Sequence, residues 1–358
     1  MRQVRALAPG KAVLLGEYAV TRGAPALSLA VDRRARVSLV PCQPDERGLS
    51  APQLGVTNLA FTAEQPGHIV WNVDHPDWAA VARTANLLSL LHKLAVERFG
   101  DPGPYRVEID TAELFASHGQ DQIKLGLGSS SAVAVALDAA LRCLCSRSSR
   151  SGLSMQALDR LLRPYRRDQD GRGSGIDLAT SLCGGVISYQ RKAQEVEVKR
   201  VSLPSDLALM LVWTGQAAST PRLLAAFDAW CEHSPEAAHS LLTQMHECCL
   251  HGQRAMEQGD GEALVGQFSA YGRLMGTMGG LMGADVVTPT LAEIAVQAAG
   301  LGIACKPSGA GGGDLALLAS THSGRLHELR LWLEEQGLFA FVPGLDDIGV
   351  RAEWCEPN

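Results

Sequence analysis

At 358 residues the chain is long enough for one large or two ordinary domains with ample core, and 46% hydrophobic against 20% charged residues describe a globular protein. A formal net charge of −6 lacks the basic excess of a nucleic-acid binder, so no nucleic-acid partner is expected. The nine cysteines include an adjacent pair, Cys248 and Cys249, and no C-x-x-C. Together with ten histidines lacking metal spacing they read as reduced thiols and ordinary imidazoles, not as a disulfide framework or a zinc site.

The amino terminus carries no charged and apolar leader pattern, and the longest apolar stretches look interrupted well short of a membrane span. A cytoplasmic protein with no membrane partner is expected. No G-x-S-x-G elbow surrounds a candidate serine, which removes support for a hydrolase.

In chain order, β-branched runs at 12–15, 36–40 and 105–109 predict strands. Residues 47–67, rich in Gly, Pro and Gln, read as an irregular surface excursion. Helical spacing marks 78–98, then 130–145, which the serines before it should cap, and 158–167. Strands follow at 186–189 and 196–203. Residues 207–213 form a near-continuous apolar run of the doubly buried kind. From Thr220-Pro221 the chain turns helical to Gly300, and from Ile303 it reads strand, glycine loop, strand, helix, strand. This order suits an α+β carboxy-terminal half on an antiparallel sheet. A boundary near residue 190 divides the chain into 1–190 and 191–358.

Three glycine-rich segments interrupt these elements. Lys124-Leu125-Gly126-Leu127-Gly128-Ser129-Ser130-Ser131 precedes an apolar helix, and glycines there let backbone N–H groups and the positive helix end approach a phosphate. Its spacing fits neither the Walker loop nor the dinucleotide fingerprint. Pro9-Gly10-Lys11 reads as a rigid turn into a strand that leads to Gly16-Glu17-Tyr18. Lys306-Pro307-Ser308-Gly309-Ala310-Gly311-Gly312-Gly313-Asp314 leads into Leu315 to Ala319.

Taken together and in this order, the three segments resemble the motifs of the GHMP kinases. The wording around Gly16-Glu17-Tyr18-Ala19-Val20, Trp213-Thr214-Gly215 and Val287-Thr288-Pro289 is similar to the bacterial-type phosphomevalonate kinases of that family. Leu315 stands where that branch usually has Cys, and Ser131 where it usually has Ala. The resemblance implies an α+β GHMP kinase two-domain fold, with a ribosomal-S5-domain-2-like amino-terminal domain and a ferredoxin-like carboxy-terminal domain. It also implies ATP and Mg²⁺ as cofactors and phosphorylation of 5-phosphomevalonate to 5-diphosphomevalonate. Mevalonate or another small molecule stays open as acceptor, as does a catalytically silent metabolite sensor. Oligomeric state is left open.

Phosphoryl transfer requires positioning and charge neutralisation more than covalent chemistry, so Lys11 and Lys124 are the natural cations. The resemblance adds Asp177 as the third catalytic residue. It implies an ATP phosphate loop of Gly126, Leu127, Gly128, Ser129, Ser130 and Ser131, with Ser130 as a Mg²⁺ ligand. It implies an acceptor site built from Lys11, Glu17, Tyr18, Ser174, Asp177, Ser308, Gly309, Ala310, Gly311 and Gly312. Mevalonate kinases carry a metal-binding glutamate eleven positions before the aspartate, where this chain has Arg166; Asp168 and Asp170 are substitutes, with solvated charge the plainer reading. For the acceptor's own phosphate, Arg33, Arg34, Ser219, Thr220 and Arg222 are candidates. A phosphate acceptor, with a second pKa of roughly 6, needs no general base, whereas a hydroxyl acceptor does.

Overall fold

Buried side chains carry the first residues straight into a 13-residue strand, β1 (Gln3–Leu15), which pairs along its length with the antiparallel β2 (Ala26–Pro41). The computed structural model describes residues 2–118, 121–147, 150–151, 155–168, 173–192 and 195–356. The β1–β2 register slips between Pro9 and Gly10 and again between Val13 and Leu15. Pro9 and Gly10 therefore lie inside the strand at a bulge, not in a turn before it. A bulge bends the strand and re-aims the side chains that follow, and Lys11 is the next residue.

The segment 47–67 corrects the expected excursion. It holds β3 (Gly48–Ala51) and β4 (Val56–Gln65), and β5 (His68–Trp71) follows. Strand β3 runs parallel to β6 (Tyr105–Asp110), and Leu49, Ala51, Leu59 and Phe61 alternate into the core. Apart from Gly48 at the start of β3, Pro and Gly fall in the two tight connections, Pro52–Leu54 with Gly55 and then Pro66 with Gly67, so their abundance marks the turns and not the whole stretch. Helix α1 (Trp78–Phe99) lies between β5 and β6.

The hairpin of β7 (Phe115–His118) and β8 (Asp121–Lys124) delivers the chain to α2 (Ser129–Ser146). Contrary to the sequence expectation, α2 is long and apolar enough to cross a membrane, the one such helix among the described residues. Most of it is buried, and its run from Ser131 to Leu141 lies wholly within the core. A helix enclosed on all sides needs no polar face. After β9 (Arg150–Ser151) come α3 (Met155–Asp168) and α4 (Ile176–Cys183), then the hairpin of β10 (Val186–Lys192) and β11 (Glu195–Val201).

Strand β12 (Ala208–Trp213) opens a second sheet. Helices α5 (Thr220–His233), α6 (Pro235–Gln258), α7 (Gly261–Leu281) and α8 (Pro289–Gly300) follow. Then come β13 (Ala304–Pro307), β14 (Leu315–Ser320), α9 (Ser323–Glu335), β15 (Ala340–Phe341) and β16 (Arg351–Cys355). The second sheet has the order β13-β14-β12-β15 and is antiparallel throughout. Met210 and Val212 face α8 and α9 in one core, while Leu209 and Leu211 join the main core, which explains why β12 reads as continuously apolar. Residue 190 falls within β10, which pairs with β2, and β16 returns to pair with β1. The 186–201 hairpin and the last strand both belong to the first sheet. The whole is an α+β fold in which the loop after β8 meets the loop between β13 and β14.

Candidate active site

The loop after β8 turns through Gly126 at φ 70° and Gly128 at φ 75°, left-handed values that suit glycine. Gly128 is the N-cap of α2, and no side chain caps the helix. The serines expected to cap do otherwise: Ser131 Oγ donates to the Gly128 carbonyl at 2.7 Å, and the Ser129 and Ser130 hydroxyls make no hydrogen bond among the described residues. Leaving the first-turn N–H groups without side-chain acceptors is what an anion-binding helix start requires. Ser129 and Ser130 line a cleft of about 430 Å³, whereas the side chains of Leu127 and Ser131 are buried beneath the loop.

Lys11 ties this loop to β1. Its backbone N–H donates to the Leu127 carbonyl at 2.7 Å, and a Cβ on Gly10 would meet that same oxygen at 2.8 Å, so only glycine lets the loop dock there. The Lys11 stem crosses Gly128, and its Nζ comes within 3.8 Å of where a Gly309 Cβ would sit. The ammonium thus stands between the glycine loop before α2 and the third glycine loop. Burial pushes its pKa below the ordinary lysine range, opposed by the nearby carboxylates of Asp177, Asp314 and Glu17.

Glu17 faces this cleft but is already paired. Its Oε1 accepts from Lys306 Nζ at 2.5 Å and from the Gly309 N–H at 3.3 Å, while Lys306 also donates to the Pro307 carbonyl at 2.6 Å. Both side chains are out of contact with water, so each charge depends on the other. Tyr18 sits at φ 61°, an uncommon value for a residue with a Cβ, and its hydroxyl donates to the Ala310 carbonyl at 2.6 Å. Burial, with Glu17 beside it, pushes the Tyr18 phenol pKa up. Ser308 Oγ donates to the Val13 carbonyl at 3.1 Å. Glu17, Tyr18 and Ser308 therefore bind the third loop to the first sheet.

Asp177 enters from the start of α4. Its Oδ2 accepts from the Tyr165 hydroxyl on α3 at 2.7 Å and its Oδ1 from the Leu178 N–H at 3.0 Å. Ser174 also lines the cleft, its Oγ accepting from the Ile176 N–H at 3.3 Å. Gly309, Ala310 and Gly311 line the opposite wall, while Gly312 is turned away and donates its N–H to Val286.

Among the candidates for an acceptor phosphate, only Thr220 reaches the cleft. Arg34 is paired with Asp346 at 2.6 Å, and Arg33 lies 4.9 Å over the Phe341 ring, so both are spent on holding β15 and the connection that follows it. Asp170 lies outside the described residues, as do the side chains of Arg166 and Asp168.

No protein-family model matches the chain. The phosphomevalonate kinase of Streptomyces sp. (strain CL190) is 29% identical over 95% of this chain and 97% of its own length. The mevalonate kinase of Thermococcus onnurineus (strain NA1) is also 29% identical, over 99% of this chain and 100% of its own. The structure of Streptococcus pneumoniae phosphomevalonate kinase in complex with phosphomevalonate and AMPPNP shares the fold. Its TM-score is 0.73 over 96% of this chain and 100% of that one, at 20% identity.

The chain is a GHMP kinase homologue.

Three cleft residues of this GHMP kinase homologue with ionisable or phenolic side chains escaped the sequence reading, Asp314, Tyr165 and Arg83, as did Lys306, which is buried behind the cleft against Glu17. Lys306 and Asp314 bracket the third glycine segment, and two charges flanking an uncharged glycine run are a signal that could have marked them. Nothing in the pattern of α1 or α3 distinguishes Arg83 or Tyr165 from neighbouring surface and core positions. For Mg²⁺ the donor chemistry fits. The unbonded Ser130 hydroxyl lies at the helix start and three carboxylates line the same cleft. Among the described residues no three His, Cys, Asp or Glu side chains form a protein-only cage, and Mg²⁺ bound through phosphates needs none.

Proposed function

We propose that this GHMP kinase homologue transfers the terminal phosphoryl group of ATP to 5-phosphomevalonate, giving 5-diphosphomevalonate and ADP in the mevalonate pathway of isoprenoid-precursor synthesis. The reading rests on Lys11, whose stem crosses the uncapped phosphate loop at Gly128 while its ammonium approaches Gly309 of the facing loop. That position suits a cation that neutralises a phosphoryl group in transit between two anions.

In this reading a non-bridging oxygen of the acceptor phosphate attacks the γ-phosphorus. The bond to the β,γ-bridging oxygen breaks, and ADP departs with that electron pair. With a second pKa of roughly 6 the acceptor is already largely dianionic, so no proton need be removed. Asp177, hydrogen-bonded at both oxygens, orients Lys11 and the acceptor instead of acting as a base. Lys124 and Lys11 offset repulsion between the anions. Ser130 would hold Mg²⁺, which when bound supplies further charge neutralisation at the phosphates.

The equal 29% identity to the Thermococcus onnurineus mevalonate kinase favours a second reading, with mevalonate as acceptor. Presenting 5-phosphomevalonate and mevalonate separately with Mg-ATP and measuring ADP release separates the two, with Lys124→Ala as the control for site-dependent turnover. Turnover of mevalonate alone would replace the first reading by the second. Nucleotide binding without turnover on either acceptor would leave a metabolite sensor.

A further inference from the structure

Three carboxylates line the cleft, and they differ in what their oxygens already do. Glu17 gives Oε1 to Lys306 and Gly309, and its Oε2 is sealed from solvent. Asp177 has both oxygens engaged by Tyr165 and Leu178. Asp314 has one oxygen engaged: Oδ1 accepts from the Ala218 N–H at 3.2 Å, and no donor among the described residues reaches Oδ2. That free oxygen lies 2.9 Å from where a Cβ on Gly126 would stand, so it is pressed against the phosphate loop.

The placement is actively maintained. Asp314 holds φ at 52°, a left-handed value directly after three glycines, Gly311 to Gly313. Its N–H donates to the Gln216 carbonyl at 2.8 Å, and its own carbonyl accepts from the Thr214 N–H at 2.9 Å and the Thr214 hydroxyl at 3.1 Å. Glycine would adopt this conformation more readily, so the side chain has a use that offsets the strain. Yet an anion beside a loop built for nucleotide phosphates repels the ligand. A divalent cation reverses that sign, since Mg²⁺ binds through one or two carboxylates together with substrate phosphates.

We propose that Asp314 is the carboxylate through which this chain holds the divalent cation accompanying its nucleotide. Oδ2 is the ligating oxygen, and the Ala218 N–H fixes the carboxylate plane. The inference rests on the nucleotide reading of the cleft and is independent of which acceptor is used.

The test uses the full chain with ADP and Mn²⁺ as the probe, free Mn²⁺ being followed by its paramagnetic resonance signal. Asp314→Asn keeps an oxygen for Ala218 while removing the charge. It is expected to weaken Mn²⁺ binding to the protein–ADP complex about tenfold or more, while metal-free ADP binds as tightly as before or more tightly. Unchanged Mn²⁺ affinity overturns the proposal. So does an equal loss of metal-free ADP affinity, which would indicate a structural role. Asp314→Gly, which relieves the backbone, should reproduce the Mn²⁺ defect. A wild-type chain with no affinity for ADP, with or without metal, would instead overturn the nucleotide reading itself.

Discussion

Lys306 Nζ lies 2.5 Å from Glu17 Oε1 in a pocket of the interior where neither side chain meets water. The pair joins the turn after β1 to the strand that opens the third glycine loop, and so sets how closely the two sides of the cleft approach. Breaking it should cost more than any surface substitution. Lys306→Met leaves a buried carboxylate without its counter-charge and is expected to lower unfolding stability by about 3–5 kcal/mol. Adding Glu17→Gln to that variant should recover part of the loss. Urea denaturation of the four proteins in the double-mutant cycle measures the coupling, and additive losses would refute it.

Gly126 is a point of close approach. A Cβ there would stand 2.5 Å from Asp314 Cβ at a φ of 70°. Gly126→Ala is expected to cost about 1–3 kcal/mol through strain alone and to reduce nucleotide affinity as the loop shifts. Asp314→Gly in the same chain removes the clash but not the backbone strain, so it should recover only part of the stability and none of the divalent-metal affinity, which thermal unfolding and metal titration read separately.

Lys11 makes nucleotide affinity pH-dependent. Burial depresses its pKa, so the ammonium gives up its proton at lower pH than an ordinary lysine. Phosphates favour the charged form, so binding raises this pKa and draws a proton in. Affinity for ADP should hold near neutrality and fall as pH rises through the depressed pKa. Calorimetry in buffers of different ionisation enthalpy should register proton uptake on that limb. Lys11→Arg, always charged, should abolish the limb even if it weakens binding.

Tyr165 positions Asp177 through its hydroxyl. Tyr165→Phe should lower kcat by about 10–100-fold, the scale of a small misplacement near the reacting centre, with little change in KM for ATP. Asp177→Asn is expected to lose less than about 10⁴-fold, the upper range for general acid–base catalysis. A larger loss in a folded variant would assign Asp177 a proton-transfer role and favour a hydroxyl acceptor.

The parts of the site legible in the sequence were those whose chemistry is local. Gly126, Gly128 and Ser130 read as a phosphate loop from sequence because tight turning and helix-start N–H groups depend on adjacent residues. The helices at 78–98 and 130–145 announce themselves by apolar spacing. Even here local signals misled where two structures share one composition. The glycines and prolines of 47–67 suggested a loose loop although most of them serve the two tight turns that join β3, β4 and β5. The serines at the start of α2 suggested caps although they leave the helix start open.

By itself the sequence determined the principal helices and the longest strands, the glycine-rich segments and the family resemblance, because periodicity, turn chemistry and motif spacing act over a few residues. The tertiary structure alone decided which charges meet. Glu17 with Lys306, Asp314 under Gly126 and Tyr165 on Asp177 are separated by 289, about 190 and 12 positions. Burial then set what those charges can do, since a buried ion is held, shifted or compensated according to neighbours brought to it only by folding.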